Sequence, residues 1–230
     1  HSLDIKVIDH CELTILWYME TALRYMSEHL DWCQRTIDDD TLFQGLCPLN
    51  RAHRNAYFSR MREYIADTGI DGVMIDEVGF HSGKTCGCDY CRAQFTKETG
   101  LIMPIGKNSQ MIDTKSSLLH KAWFEWRQKA VGDWWVEFRK KAADNRKDFC
   151  IMGYVCNAGL WSEFDYKFGY DLFAMARSND FVGTEIWLGN PMDNYRFVYA
   201  DRRYFNIFRH EGGYPVFGLV YHSNDEYFAY

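Results

Sequence analysis

The stretch Asp71-Gly72-Val73-Met74-Ile75-Asp76-Glu77-Val78 decides how this chain is read. It is apolar through its middle and acidic toward its end. Within Ile70–Val78 it reads as a buried parallel strand whose C-terminal end carries two carboxylates. Such a pair is costly inside a core, but it suits the mouth of a (β/α) barrel, where strand ends present the reactive groups. The preceding Arg51–Asp67 is helical, with Tyr57, Phe58, Met61, Tyr64 and Ile65 on one face. Asp67-Thr68-Gly69 closes that helix.

Outward from this unit the pattern repeats. Leu3–Ile8 is a short apolar run read as the first strand. Ser116–Asn145 is a long helical stretch with an expected break near Gly132, followed by a strand at Phe149–Cys156 and an exit loop at Asn157-Ala158-Gly159. Tyr170–Arg177 is a short helix and Phe181–Trp187 a strand. Asn194–His210 is helical, Gly212-Gly213 stops it, and Tyr214–Tyr221 is a strand with His222 after it. Strands alternating with helices imply an α/β fold with a parallel sheet. About five strands are legible, where a full barrel has eight in ~250 residues. The expectation is one (β/α)8 TIM barrel domain over residues 1–230, holding the central strands and incomplete at both ends. An open doubly wound sheet is the alternative; no Gly-rich phosphate loop follows any strand, which counts against nucleotide binding.

The 230 residues are 47% hydrophobic and 25% charged, an ordinary globular balance. Aromatics reach 17%; most such rings pack cores, and some can stack on the apolar face of a sugar. The net charge of −6 and the absence of a Lys/Arg block argue against nucleic acid as a partner. No apolar run reaches the ~18 residues of a membrane span, and no signal peptide is legible. The chain begins His1-Ser2, as a mature form or an excised piece would, so location is unknown; a homo-oligomer is compatible with the sequence. Eight cysteines are too few and too unevenly placed for a disulfide scaffold.

Glu185 repeats the pattern of Asp76 and Glu77. It ends Phe181-Val182-Gly183-Thr184-Glu185 and is followed by Ile186 and Trp187. A carboxylate beside a Trp can take a raised pKa and act as a general acid, with the ring as a sugar platform. Glycoside hydrolysis needs two carboxylates flanking the scissile bond. Asp76, Glu77 and Glu185 are therefore the candidate catalytic acids; paired structural acids are the plainer reading of each. Asp76 and Glu77 are adjacent, so in an extended strand they point to opposite faces, one toward substrate and one in support. His10 and Glu12 after the first strand, Asn157, Trp187 and His222 are candidates for holding an oligosaccharide or glycoside. A non-catalytic sugar-binding barrel is the second reading, with Trp17, Trp161 and Trp187 as stacking surface. A metal-dependent hydrolase with Asp9, His10, Asp76, Glu185 or His222 as ligands is the third, and the sequence has no H-E-x-x-H to support it.

Cys86-Gly87-Cys88-Asp89-Tyr90-Cys91 is a C-x-C-x2-C cluster. Three such thiolates can form three corners of a tetrahedral zinc site, and Cys47, in Leu46-Cys47-Pro48-Leu49-Asn50, is the candidate fourth. Four thiolates leave no open position, so the expected zinc is structural, and no organic cofactor is expected. Reduced, unmetallated thiols are the alternative.

The run Asp71–Val78, the cluster Cys86–Cys91 with Arg92-Ala93-Gln94-Phe95, and Glu98-Thr99-Gly100 together resemble family-42 glycoside hydrolases, the β-galactosidases. They also resemble a wider set of glycosidase-like barrels. The likeness covers Leu46–Gly100, and a looser one to the wider set covers Tyr170–Arg177 with Asp180-Phe181. In the β-galactosidases an Asn-Glu pair ends strand four, its Glu is the acid/base, and a zinc cluster completed by an upstream Cys follows. The resemblance therefore implies Glu77 as acid/base and Cys47, Cys86, Cys88 and Cys91 as zinc ligands. Two positions depart: Asp76 stands in place of Asn, and Tyr214–Tyr221 lacks the strand-seven Glu nucleophile. Asp76 matches instead the α-L-fucosidase-like layout, in which an Asp ending strand four is the nucleophile and a later strand supplies the acid, here Glu185.

Overall fold

The computed structural model describes residues 5–12, 19–155, 167–188, 206–207, 209–211 and 216–222; of 19–22, 44, 185–188 and 216–222 it describes the backbone alone. The elements in chain order are β1 (Ile8–Glu12), α1 (Met19–Glu28), β2 (Cys33–Arg35), β3 (Leu42–Leu46), α2 (Arg51–Thr68), β4 (Gly72–Asp76), α3 (Asp89–Thr99), α4 (Leu118–Lys141), β5 (Cys150–Val155), α5 (Leu172–Ser178), β6 (Phe181–Leu188) and β7 (Val216–His222). Short 3-10 turns occupy Leu30–Trp32 and Gly106–Asp113.

Five strands form one sheet in the order β1-β4-β5-β6-β7, every neighbouring pair parallel. Among the described strands the order never reverses, so they show no switch point of the doubly wound kind. The architecture is α/β, a partial (β/α) barrel, as the alternation of segments implies. Between β1 and β4 the chain also forms the antiparallel hairpin β2-β3, which the sequence reading did not contain. Its strands are short and carry Gln, Arg and Gly, so no apolar period marks them.

Alternate strand residues make the core. Val73 and Ile75 of β4, Ile151 and Val155 of β5 and Val182 of β6 are buried with Phe58, Met61 and Ile65 of α2 and with the rings of α4. Trp134 stacks on Phe138 with centroids 5.2 Å apart and meets Phe58 edge-on at 5.2 Å. Much of the aromatic excess is therefore core. Helix α2 is capped by Asn50, whose side chain accepts from the N–H of Ala52 and His53, and α4 by Ser117 accepting from His120. Among the described residues no helix is long and apolar enough to cross a membrane.

Three boundaries differ from expectation. β1 begins at Ile8, where the apolar run ends, because its backbone pairs from Ile8↔Gly72 to Glu12↔Asp76. His10 and Glu12 thus lie within the strand, and His222 is likewise the last residue of β7. Helix α4 runs unbroken through Gly132. A Cβ there would sit 2.7 Å from the Cβ of Ala174, so the glycine lets α5 approach α4.

That contact sets two effects against each other. An alanine in a helix interior gains about 1 kcal/mol over glycine, while overpacking costs about 1–3 kcal/mol. Gly132→Ala is expected to lower stability in denaturant unfolding, and a double-mutant cycle with Ala174→Gly to show coupling above about 0.5 kcal/mol. A net gain in stability, with no coupling, would mean that the two helices do not pack through this glycine.

Candidate functional site

The register decides which residues share the face turned away from the helices. Cys11, Val73 and Ile75 pack on the helix side. Their strand neighbours His10, Glu12, Met74 and Asp76, with Met152 and Tyr154 of β5, therefore occupy the opposite face, the barrel interior. Asp76 ends β4 between Glu12 and Tyr154, its register partners on the two sides.

Two aspartates bracket β4 and have opposite surroundings. Asp71, before the strand, accepts from the N–H of Val7 at 2.9 Å and from Lys6 Nζ at 3.0 Å. Those bonds hold its carboxyl below the usual carboxylate range. Asp76, at the strand's C-terminal end, has Oδ2 3.2 Å from Nε2 of His10. Among the described residues its Oδ1 is buried without a hydrogen-bond partner. Burial raises its pKa, with His10 pulling the other way and Glu12 adding to the rise. The first acid is consumed by structure, whereas the second keeps a desolvated oxygen at the end of the sheet where barrels carry their chemistry.

Glu77 is not in extended backbone. It is the first residue beyond β4, with φ +48°, and its N–H donates to the Tyr154 carbonyl at 3.2 Å. The expectation that Asp76 and Glu77 point to opposite faces assumed a continuous strand, and the left-handed turn removes that premise. Non-glycine residues are uncommon in that region and are concentrated at functional sites.

The remaining candidates divide. His10, Glu12 and Asp76 share one face. Asp9 faces the helices, where Tyr64 donates its hydroxyl to Oδ2, so it does not join them. Glu185, Trp187 and His222 are placed by backbone only, with Glu185↔Leu219, Trp187↔Tyr221 and Leu188↔His222 as partners between β6 and β7. Glu185 lies two residues beyond Gly183, which pairs with Tyr154, the partner of Asp76. Asn157, Trp17 and Trp161 lie outside the described residues.

Sequence reasoning missed the device that holds the loop after Glu77. Gln34 of β2 is fully buried. Its Nε2 donates to the carbonyls of Leu46 and Gly79, each at 3.2 Å, and its Oε1 accepts from the N–H of His81 at 3.1 Å. His81 then stacks on Phe43 of β3, centroids 4.7 Å apart. A Cβ on Gly79 would meet the Phe168 carbonyl at 2.6 Å, so this loop runs close against a second loop. A lone Gln in a short polar strand carries no local signal of such a role.

The same loop leads to the cysteines. Cys47, just after β3, and Cys86, Cys88 and Cys91 are all buried, with their sulfurs within 4.8 Å of one another. Cys47 and Cys91 are 3.5 Å apart and Cys47 and Cys88 3.9 Å. A tetrahedral Zn–S length of about 2.3 Å requires sulfurs about 3.8 Å apart, so the donor set fits. All four are free thiols. Hydrogen bonds with Cys47, Cys86 and Cys91 hold Cys88 well below the usual thiol range, and Cys88 stands at the N-cap position of α3 without a side-chain capping bond. Burial pushes Cys47 and Cys91 up. Among the described residues this is the one His/Cys/Asp/Glu group spaced to hold a metal ion.

No protein-family model matches the chain, and no curated protein does. Solved structures do. The glycoside hydrolase domain of PgaB (BpsB) from Bordetella bronchiseptica is similar with a TM-score of 0.57 at 13% identity, covering 81% of this chain and 61% of that one. A catalytic mutant of a GH42 β-galactosidase from G. stearothermophilus gives 0.60 at 9% identity, over 89% of this chain and 34% of that one. The β-galactosidase from Bacillus circulans sp. alkalophilus gives 0.52 at 13% identity, over 80% and 31%. The chain thus spans about three-fifths of the first protein and about a third of the other two. The likeness establishes a fold that these glycoside hydrolases share.

The burial of Asp76 has a consequence for stability. A carboxyl whose pKa is raised on folding favours the folded state when protonated, and that contribution is lost as pH rises through the folded value. Asp76→Asn removes the buried charge. It is expected to raise the melting temperature at about pH 7, with the gain shrinking as the pH falls and the carboxyl takes up its proton. A loss of stability at neutral pH would show that Asp76 is a structural acid like Asp71.

Proposed function

We propose that this chain is the central part of a glycoside hydrolase barrel and that Asp76 is one of its two working carboxylates. The observation that carries the reading is the buried carboxyl of Asp76 at the C-terminal end of β4, whose Oδ1 has no hydrogen-bond partner among the described residues. A fold shared with glycoside hydrolases supports it. His10 holds Oδ2 and leaves Oδ1 to face the sugar. In this mechanism Oδ1 attacks the anomeric carbon while Glu185 gives its proton to the departing glycosidic oxygen. Glu185 then takes a proton from water, which opens the glycosyl ester and returns Asp76 as a carboxylate. A retaining pair stands about 5–5.5 Å apart, and an inverting pair, with water between the two acids, about 6.5–9.5 Å apart. Glu77, next in the chain, is the alternative strand-four acid, on the position of the β-galactosidase acid/base. Glu12 and Tyr154, beside Asp76 in the sheet, would line the sugar subsite.

A non-catalytic sugar-binding barrel is the second reading. It is favoured by one feature, the lack of a Glu in β7. The full-length protein, offered aryl β-galactoside, α-L-fucoside and β-glucoside, separates the two. Release from one substrate is expected, with Glu185→Gln and Asp76→Asn each lowering turnover at least about a hundredfold while the fold is kept. A loss under about tenfold removes that residue from the mechanism. Saccharide binding without turnover would establish the second reading.

The proposal includes one structural zinc on Cys47, Cys86, Cys88 and Cys91. Zinc would bind the hairpin exit to the start of α3 and so fix the loop between Glu77 and Cys86. Metal analysis is expected to find one zinc per chain in the wild type and none in Cys88→Ser, with a lower melting temperature in the variant. Equal zinc in both, or none in either, would reject the site.

A further inference from the structure

Asp76 has two neighbours across the sheet, Glu12 on β1 and Tyr154 on β5. Tyr154 is 2% exposed, whereas Glu12 is only partly buried, so Glu12 is the neighbour more open to the mouth of the sheet. Glu12 and Asp76 are the last residues of their strands, in register and on the same face. Adjacent strands lie about 4.7–4.9 Å apart, so the two acids stand side by side at one height. The charge of Glu12 reaches Asp76 and adds to the rise of its pKa. His10, one pair lower on the same face of β1, is committed to Oδ2 of Asp76. Among the described residues the Glu12 carboxylate makes no hydrogen bond or ion pair. It is an open acceptor beside the working acid.

The chemistry beside the reacting atom narrows what such a carboxylate can bind. With Oδ1 of Asp76 under the anomeric carbon, a group one strand away reaches the flanks of that carbon. The ring oxygen on one flank has no hydrogen to give, and a carboxylate only accepts. The hydroxyl on C-2, at the other flank, can donate. We propose that Glu12 is a substrate-binding carboxylate that accepts the 2-hydroxyl of the sugar whose bond is cleaved. This rests on the glycosidase reading above and names its substrate class: a glycoside whose reacting sugar carries a free hydroxyl at C-2. As the glycosidic bond breaks, positive charge develops at the anomeric centre and the 2-hydroxyl becomes a stronger donor. Its bond to an anionic acceptor then strengthens in the transition state.

The probes are aryl β-galactoside, α-L-fucoside and β-glucoside, all with a 2-hydroxyl, and the 2-deoxy counterpart of whichever one the full-length wild type cleaves. kcat/KM is measured for wild type and Glu12→Gln on both members of that pair. Glu12→Gln is expected to lower kcat/KM on the parent glycoside about 10- to 100-fold. On the 2-deoxy glycoside the loss is expected to stay under about threefold, because the contact removed by the variant is already absent. The greater intrinsic reactivity of the deoxy sugar cancels, since each ratio is taken on one substrate. Equal losses on the two substrates overturn the inference, because Glu12 would then act on Asp76 or on the fold and not on the hydroxyl. An unchanged kcat/KM on the parent glycoside overturns it as well. If Glu12→Gln does not fold, Glu12→Ala replaces it under the same criteria. A wild type that releases nothing from any of the three glycosides rejects the hydrolase reading and this inference with it, whereas an active wild type indifferent to Glu12 rejects the inference alone.

Discussion

The burial of Val73 and Ile75 beneath the rings of α2 and α4 fixes which way every other residue of β4 points. A strand has a period of two, so committing one face to the helices commits Met74 and Asp76 to the other. Parallel pairing carries that choice across the sheet: His10 and Glu12 align with Met74 and Asp76, and so do Met152 and Tyr154. A slip of one residue would send Asp76 into the aromatic layer and bring Ile75 to the barrel interior. The cost of that exchange makes the placement of the acid a property of the core.

The end of β4 is held from another direction. Glu77 leaves the strand through a left-handed turn, and the chain then passes Gln34, whose amide bonds three backbone groups, before it reaches the cysteines. Arg127 and Trp123 hold the carbonyls of Ser82 and Gly83 from the other side. A loop so thoroughly bonded departs little from one conformation, which a site built on a strand end requires. The acid itself bears the cost. Asp76 keeps a buried oxygen without a partner among the described residues, a destabilising arrangement that Asp71 avoids.

The resemblance to β-galactosidases and the shared fold agree on the barrel. They do not extend to the active-site pair. Strand β7, where that family carries its nucleophile, has none here, and Asp replaces Asn beside Glu77. The proposed pairing of Asp76 with Glu185 is the layout in which the strand-four acid works with a carboxylate from a later strand.

The sequence by itself determined the alternation of the sheet strands with α2, α4 and α5, the parallel sheet, the acids at the end of β4 and the C-x-C-x2-C cluster. Each is written in local periodicity or spacing, and local backbone preference suffices to read it. The sequence reading did not contain α1 or α3, and most of the helix expected over Asn194–His210 lies outside the described residues. It misplaced β1 and took the fourth strand through Glu77, because pairing with a neighbour decides where a strand starts and stops. It missed the β2-β3 hairpin and the part played by Gln34, whose partners lie up to 47 residues away in the chain. The break expected at Gly132 followed helix propensity, and contact with Ala174 overrode it. Only the tertiary structure separated Asp71 from Asp76 and Asp9 from His10. The same side chain is a hydrogen-bonded acid or a desolvated one according to what surrounds it, and those surroundings come from segments distant in sequence.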